Sequence, residues 1–191
     1  MSEIVAAVVG GFLAAGAGWF LQNRLEASRM ARMKKLLLVG VMDDLKSSED
    51  LYGRVLDEWD KSGIVWFTTL NELHESRQIY LKNREMLVLL EKEATRQRIF
   101  KYYHRSAEFL NLLENQQRRK YDIQNRLNEL IRELQIRDPA LDSESALKQA
   151  VPLLQAEDQE LSWLNAQLPQ NVQRSRDFKA EAKELIVELA K

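Results

Sequence analysis

Cysteine is absent from this chain of 191 residues, and its absence excludes disulfide scaffolds, thiolate zinc sites, iron–sulfur clusters and cysteine nucleophiles. Only two histidines, three prolines and seven glycines are present. Lys and Arg number 28 against 29 for Asp and Glu, so the chain lacks the general basic bias of a nucleic-acid-binding protein. Because Gly and Pro are scarce after the N-terminal region, and Leu, Glu, Lys, Gln, Arg and Ala abound there, the composition predicts an all-α protein.

The N-terminal region contains an uncharged run, residues 4–21 (IVAAVVGGFLAAGAGWFL), that predicts a transmembrane helix. A helix of this length covers about 27 Å, which is close to the hydrocarbon thickness of a bilayer. A cleaved signal sequence and a buried core helix are the alternatives. A signal sequence begins with a positive region, whereas Met1, Ser2 and Glu3 precede this run. We therefore expect an anchor over residues 1–23 and a helical bundle over residues 24–191.

Charges on either side of the predicted span indicate its orientation. Glu3 precedes the span, whereas a cluster of cations with only Glu26 among them follows it. The positive-inside rule then places the N-terminus outside and the bundle in the cytoplasm. Cations at this position also suit an anionic membrane surface. The cluster consists of Arg24, Arg29, Arg32, Lys34 and Lys35.

Small residues recur along the predicted span at helical spacing and form two neighbouring rows. Such a smooth face permits close approach between helices in lipid, where van der Waals packing drives association. The pattern predicts self-association or pairing with another membrane helix, and one alternative is a small oligomeric pore- or ring-forming subunit. The rows contain Ala6, Gly10, Ala14 and Gly18, and Ala7, Gly11 and Ala15.

Beyond the span, apolar residues at three- and four-residue steps predict an antiparallel helical bundle. The first helix is expected to continue from the membrane without a break and to end at Lys61, Ser62 and Gly63. Residues 64–67 are interpreted as a packed connector before an N-cap at Thr68 or Thr69. A helix over about residues 70–83 is expected to follow.

The longest helical pattern covers about residues 91–134, and Phe100 belongs to its apolar stripe. Helical spacing predicts that one tyrosine of the pair Tyr102 and Tyr103 faces the core. Its apolar positions become polar over residues 114–120, which predicts a continuous, partly solvated rod that projects beyond the bundle. The helix is expected to end before Pro139, and Asp142 or Ser143 to cap the next one. Pro152 predicts a kink or short break. Pro169 is expected to separate the last helix.

Residues that could form a metal site or a phosphate-binding loop are few in this chain. Neither His74 nor His104 has a glutamate three residues before it, so the Glu-x-x-His pairs of bundle di-metal sites are missing. Glycines after the span occur singly, so no phosphate-binding glycine loop is present. We therefore expect no metal, no cofactor and no small-molecule substrate.

One pair of residues in the long helix suggests catalysis. Arg98 and His104 enclose Ile-Phe-Lys-Tyr-Tyr, and this spacing resembles the Arg-x(4–6)-His motif of HEPN ribonucleases. The resemblance covers these two positions and implies that Arg and His of two protomers meet at a dimer cleft to act on RNA. Arg would stabilise charge on phosphorus while His transfers a proton. The sequence departs from the commoner pattern, because Ile99 stands where a polar residue often follows the Arg. A tethered ribonuclease is thus the enzymatic alternative.

A second basic run lies in the polar part of the same helix and is a possible site for an acidic protein partner. It contains Arg118, Arg119, Lys120 and Tyr121. A charge run on a helix is more often a solvated face. Uninterrupted helices with polar gaps favour a non-enzymatic scaffold or adaptor that binds a protein partner, with no nucleic acid expected.

Overall fold

The computed structural model describes the backbone of residues 2–158 and 161–190, and the side chains of residues 18–158 and 163–190. These ranges are helical and contain no strand, so the prediction of an all-α helical bundle is confirmed. The elements in chain order are α1 Ser2–Ser62, α2 Phe67–Glu75, α3 Gln78–Asn83, a 3₁₀ helix Arg84–Leu89, α4 Glu93–Arg137, α5 Ser143–Glu157, α6 Leu161–Gln173 and α7 Ser175–Leu189.

Helix α1 runs without interruption from the region of the predicted span into the bundle, as expected from the sequence. It has 61 residues and is therefore about 90 Å long. It ends where Gly63 adopts a left-handed conformation with φ of 62°. The Gly63 amide donates to the carbonyl oxygen of Trp59 over 2.7 Å, which closes the last turn. Glycine adopts this conformation without the steric cost that other residues meet, so the local sequence determines the end of the helix.

Helices α1 and α4 are parallel. Lys34 Nζ lies 2.5 Å from Glu91 at one end of the pair, and the Tyr52 and Ser106 hydroxyls are 2.7 Å apart at its middle. The segment formed by α2, α3 and the 3₁₀ helix returns the chain antiparallel to α1, as the 2.8 Å bond from the Tyr80 amide to Asp44 shows. Helix α7 is antiparallel to both α1 and α4. The expectation of an antiparallel bundle therefore holds for α7 but not for the α1–α4 pair.

Aromatic rings contributed by α1, α4 and α7 fill the centre of the bundle. The Phe109 and Phe178 rings are stacked at 4.8 Å, and the Tyr52 ring lies 5.3 Å from Phe178. Tyr102 and Tyr103 are both buried, whereas Phe100 is 55% exposed. The expectation that one tyrosine of the pair faces the core, with Phe100 beside it, was wrong. Helix α4 has neighbours on two sides, namely α7 and the return segment, so adjacent residues are both covered.

The start of α2 depends on a side chain from α1. The Glu58 carboxylate accepts hydrogen bonds from the Trp66 amide at 3.0 Å and from the Thr69 hydroxyl at 2.6 Å. The expected cap at Thr68 or Thr69 was therefore wrong, because a distant glutamate supplies the acceptor. The expected single helix over residues 70–83 is divided between α2 and α3, with Ser76 and Arg77 at the junction.

Helix α4 is continuous through its polar stretch, as predicted, but this stretch is not simply solvated. Gln116 and Gln117 are 4% and 6% exposed. The Asn171 amide of α6 donates to Gln116 Oε1 over 3.0 Å. Gln116 is thus buried with a donor opposite its carbonyl oxygen, whereas Gln116 Nε2 and Gln117 Oε1 are buried without a hydrogen-bond partner among the described residues.

Beyond the end of α1, α4 and α5 form a two-helix extension, residues 120–157, which we call the distal hairpin. Arg126 joins its helices through Nε, 3.0 Å from Glu157. Asp142 caps α5 by accepting a hydrogen bond from the Ser145 amide over 2.8 Å. Of the two caps predicted for this helix, Asp142 and Ser143, the first is therefore confirmed. Pro152 and Pro169 both lie inside helices, so the expected separation at Pro169 was wrong and no break occurs at Pro152.

Candidate functional site

The predicted membrane span falls mostly outside the residues whose side chains are described. Ala6, Ala7, Gly10, Gly11, Ala14 and Ala15 lie outside them, whereas Gly18 is described and has open space around a Cβ position, with no atom within 4 Å. In the part that is described, no helix is both long enough and apolar enough to cross a bilayer. The anchor therefore stays a prediction.

The basic cluster below the predicted span is largely free of intramolecular partners. Arg24, Arg29, Arg32 and Lys35 are exposed, and the Arg24 guanidinium lies 5.8 Å from the Phe20 ring centroid. Lys34 differs, because it pairs with Glu91 and ties α1 to the start of α4. Apart from Lys34, which forms this ion pair, the side chains of residues 18–36 are exposed, and Leu37 is the first buried side chain in the described part of α1.

The basic run predicted to bind a partner is engaged within the bundle. Arg118 pairs with Glu114 at 2.6 Å and Arg119 pairs with Asp158. Lys120 donates to the Gly63 carbonyl oxygen and lies 4.9 Å from the Trp59 ring centroid. A cation here also suits the negative end of the α1 dipole. Arg119 and Lys120 thus hold the turn after α5 and the end of α1 against α4. Tyr121, in contrast, is 61% exposed.

Arg98 and His104 point to different sides of α4. Arg98 bonds Glu188 and lies 3.1 Å from Glu184, both on α7. The His104 imidazole is exposed, lies 3.4 Å from Glu108 and stacks on the Phe100 ring at 6.1 Å. The structure therefore does not bring the two candidate catalytic side chains together within one chain. The ion pairs of Arg98 instead join α4 to α7.

Sequence reasoning missed a buried polar layer across the middle of the bundle. Asp44 is 5% exposed and accepts from the Tyr80 amide. Its burial raises the pKa of the carboxyl from 3.8 to about 6. The Ser48 and Ser76 hydroxyls are 3.1 Å apart, and the Tyr102 and Tyr103 hydroxyls are buried without a hydrogen-bond partner. The only signal in the sequence was the three- and four-residue spacing of Asp44 and Ser48 within the apolar stripe of α1.

A second group missed from sequence lies at the junction of α2 and α3. The Arg77 guanidinium contacts His74 Nδ1 at 2.9 Å, and His74 Nε2 lies 3.5 Å from Glu114. Burial and the neighbouring guanidinium lower the pKa of His74, so the imidazole is neutral and Nδ1 accepts the hydrogen bond. Arg77 itself is half-buried against the tyrosines of the polar layer.

Comparisons with known proteins give no relative: no family model, no curated protein and no solved structure matches this chain.

Proposed function

We propose that this protein is a single-pass, membrane-anchored helical scaffold or adaptor, with its N-terminus outside and its bundle at the cytoplasmic face of the membrane, where it binds a protein partner. The continuity of α1 from Ser2 to Ser62 carries the proposal. The helix that contains the uncharged run also supplies core residues of the bundle, from Leu37 to Val55. A helix shared in this way would fix the distance and orientation of the bundle relative to the bilayer.

The exposed part of α1 supports a spacer role. After the predicted anchor, residues 24–36 contain no buried side chain and extend about 20 Å as a helix. Trp19 and Phe20 are 68% and 57% exposed, which suits aromatic rings in the headgroup region. The cations that follow would contribute about 1 kcal/mol each at an anionic leaflet. This arrangement favours a bundle held away from the bilayer by a short helical stalk.

The distal hairpin is the part of the chain best placed to reach a partner. It projects beyond the end of α1 and carries large apolar side chains that the bundle leaves exposed. Their exposed fractions run from 41% to 79%, and they are Tyr121, Ile136, Leu147 and Leu153. Exposed aromatic and aliphatic residues on a helical pair are typical anchors of a protein interface. The proposed partner site therefore moves from the basic run to this hairpin.

Membrane fractionation tests the anchor. The full-length chain is expected to stay with membranes after a high-salt or alkaline wash, whereas a chain beginning at Ala27 is expected in the soluble fraction with its helical content kept. Recovery of the full-length chain in the soluble fraction without detergent would overturn the anchor. Protease added at the cytoplasmic side is expected to digest the bundle, and protection of the bundle would reverse the orientation.

Affinity purification in mild detergent tests the partner site. Leu147→Glu and Ile136→Glu are expected to release proteins that co-purify with the wild-type chain, because a buried charge at an apolar contact is costly. Asn128→Glu, on an exposed position of α4 in the same hairpin, is the matched control. Equal partner recovery from all three variants would remove the hairpin from the proposal.

Self-association of the anchor is a second candidate, favoured by the open surroundings of Gly18. Gly10→Ile and Gly11→Ile are expected to weaken association in a membrane two-hybrid assay, because branched side chains fill the smooth face. Substitutions at Val5 or Val9 are the controls. An equal loss at all four positions would mean that no specific face exists.

A further inference from the structure

A cavity of about 200 Å³ lies between the α2–α3 junction, the start of the 3₁₀ helix and α4. Arg77 at the α2–α3 junction and Arg84 of the 3₁₀ helix contribute cationic groups to its lining, and aromatic side chains form its wall. The lining comprises Arg77, Tyr80, Leu81, Arg84, Phe100, Tyr103, His104 and Ala107. The cavity shares no residue with the anchor or the distal hairpin, so it is independent of the proposed scaffold function.

The arginines of this cavity lack counter-charges. Among the described residues, no carboxylate forms an ion pair with Arg77 or Arg84. The one polar contact of the Arg77 guanidinium is with the neutral His74, and its Nε is buried without a hydrogen-bond partner. A guanidinium does not lose its proton in proteins, so a half-buried one that has no anion carries an uncompensated desolvation cost.

Three acids close to the lining residues contact groups other than the two arginines, and Glu85, next to Arg84 along the chain, is exposed and forms no ion pair with it. Glu108 lies 3.4 Å from His104 along the same helix. Glu114 is shared between His74 and Arg118. Asp44 lies behind Tyr80 and accepts its amide hydrogen. The cavity is therefore left with an excess of positive charge that the chain itself does not neutralise.

We propose that this cavity binds the phosphate group of a small, soluble phosphate ester. The planar guanidinium fork matches phosphate oxygens in bidentate geometry, and two arginines facing one cavity favour a doubly charged anion. The volume is below the 300 to 1,000 Å³ usual for drug-sized ligands, which restricts the occupant to a phosphate with a small organic group. Phe100, stacked on His104, provides an apolar wall for that group.

A lipid headgroup would offer the same phosphate chemistry, but the position of the cavity disfavours it. Ile79, adjacent to the lining residue Tyr80, contacts α1 at Gly40. Gly40 is 17 residues beyond Asn23, the exit of the predicted span, which corresponds to about 25 Å along the helix. Soluble phosphate probes and lipid vesicles distinguish a soluble phosphate ester from a lipid headgroup.

Isothermal titration calorimetry of the full-length chain in non-ionic detergent, at constant ionic strength, tests the proposal. The probes are inorganic phosphate, glycerol 3-phosphate and vesicles containing phosphatidylglycerol. Arg84→Gln is the main variant, since Arg84 is exposed and exposed substitutions are expected to leave the fold intact. Arg132→Gln, an exposed arginine on the distal part of α4, is the matched control for the loss of one charge.

Both soluble probes are expected to bind the wild-type chain and Arg132→Gln equally, and Arg84→Gln about tenfold more weakly or worse, as the loss of a charge-assisted hydrogen bond implies. Arg77→Gln is expected to abolish binding, and if this variant fails to fold, Arg84→Gln decides alone. Absence of binding by both soluble probes at millimolar concentration would overturn the proposal. So would an unchanged affinity in Arg84→Gln, or Arg84-dependent binding of vesicles alone.

Discussion

Asp44 is an acid buried at the centre of the bundle, and replacing it with Asn is expected to stabilise the protein at neutral pH. The folded state raises the pKa of this carboxyl from 3.8 to about 6, chiefly because burial disfavours the charged form. A shift of this size corresponds to about 3 kcal/mol of stability lost when the group is charged in the folded protein. Asn removes that charge and keeps an oxygen that accepts from the Tyr80 amide, now 2.8 Å from the carboxylate.

The sign of the pH dependence follows from the raised pKa. At pH values below about 4 the carboxyl is protonated in both the folded and unfolded states, so the cost is absent. The cost develops as the pH rises from about 4 to about 6 and is complete at higher pH. The stabilisation of Asp44→Asn relative to the wild type is therefore expected to be small at low pH and largest at neutral pH.

Thermal unfolding of the full-length chain in non-ionic detergent, followed by tryptophan fluorescence, measures this difference. At neutral pH the variant is expected to melt about 6 to 12 °C above the wild type, since 1 kcal/mol shifts the Tm of a chain of this size by about 2 to 4 °C. Asp43→Asn is the control, because Asp43 is exposed and only 3.5 Å from Lys46 in a weak surface pair. A difference that does not change with pH, or a variant less stable than the wild type at neutral pH, would refute the reasoning.

Further substitutions, at Gly40, Gly53, Gly63 and Arg98, test the packing of the bundle, and each is measured by the same thermal unfolding. Gly40→Ala is expected to destabilise the folded protein by about 1 to 3 kcal/mol, because the added Cβ would lie 2.5 Å from Ile79 Cγ2. Gly53→Ala is expected to be neutral or stabilising, because its Cβ would meet only the flexible end of Lys179, at 3.0 Å. Equal effects of the two variants would contradict the close approach of α3 to α1. Gly63→Ala is expected to cost about 1 kcal/mol, because alanine is strained at the φ of 62°, and an unchanged Tm would show that α1 ends differently. Arg98→Ala is expected to lower the stability of the fold by about 1 kcal/mol, because it removes the ion pairs with Glu184 and Glu188 on α7. If the effects of Arg98→Ala and Glu188→Gln are additive in a double-mutant cycle, Arg98 and Glu188 are not coupled.

Local signals in the sequence determined three helix ends correctly, namely the end of α1, the start of α5 and the end of α4. A glycine with positive φ closes α1 at Gly63, Asp142 caps α5, and the dipeptide Asp138-Pro139 follows the end of α4. These features depend on a residue and its immediate neighbours along the chain, so they are legible without knowledge of the fold. The all-α class follows from composition, and the continuity of α1 into the bundle follows from the absence of Pro and of Gly–polar clusters between Gln22 and Lys35.

Only the tertiary structure decided what the side chains do. The first turn of α2 is capped by Glu58 from another helix, and Gln116 is buried because Asn171 lies opposite it. The parallel packing of α1 and α4, with a broken return segment between them, buries both Tyr102 and Tyr103 and leaves Arg77 beside a cavity. The two hydrogen bonds join residues 8 and 55 positions apart, so no periodicity along a single helix reveals them. Nothing in the sequence distinguishes the basic run at Arg118 from a solvated charge run. The packing of α1 and α5 against α4 brings Arg119 to Asp158 and Lys120 to the Gly63 carbonyl oxygen.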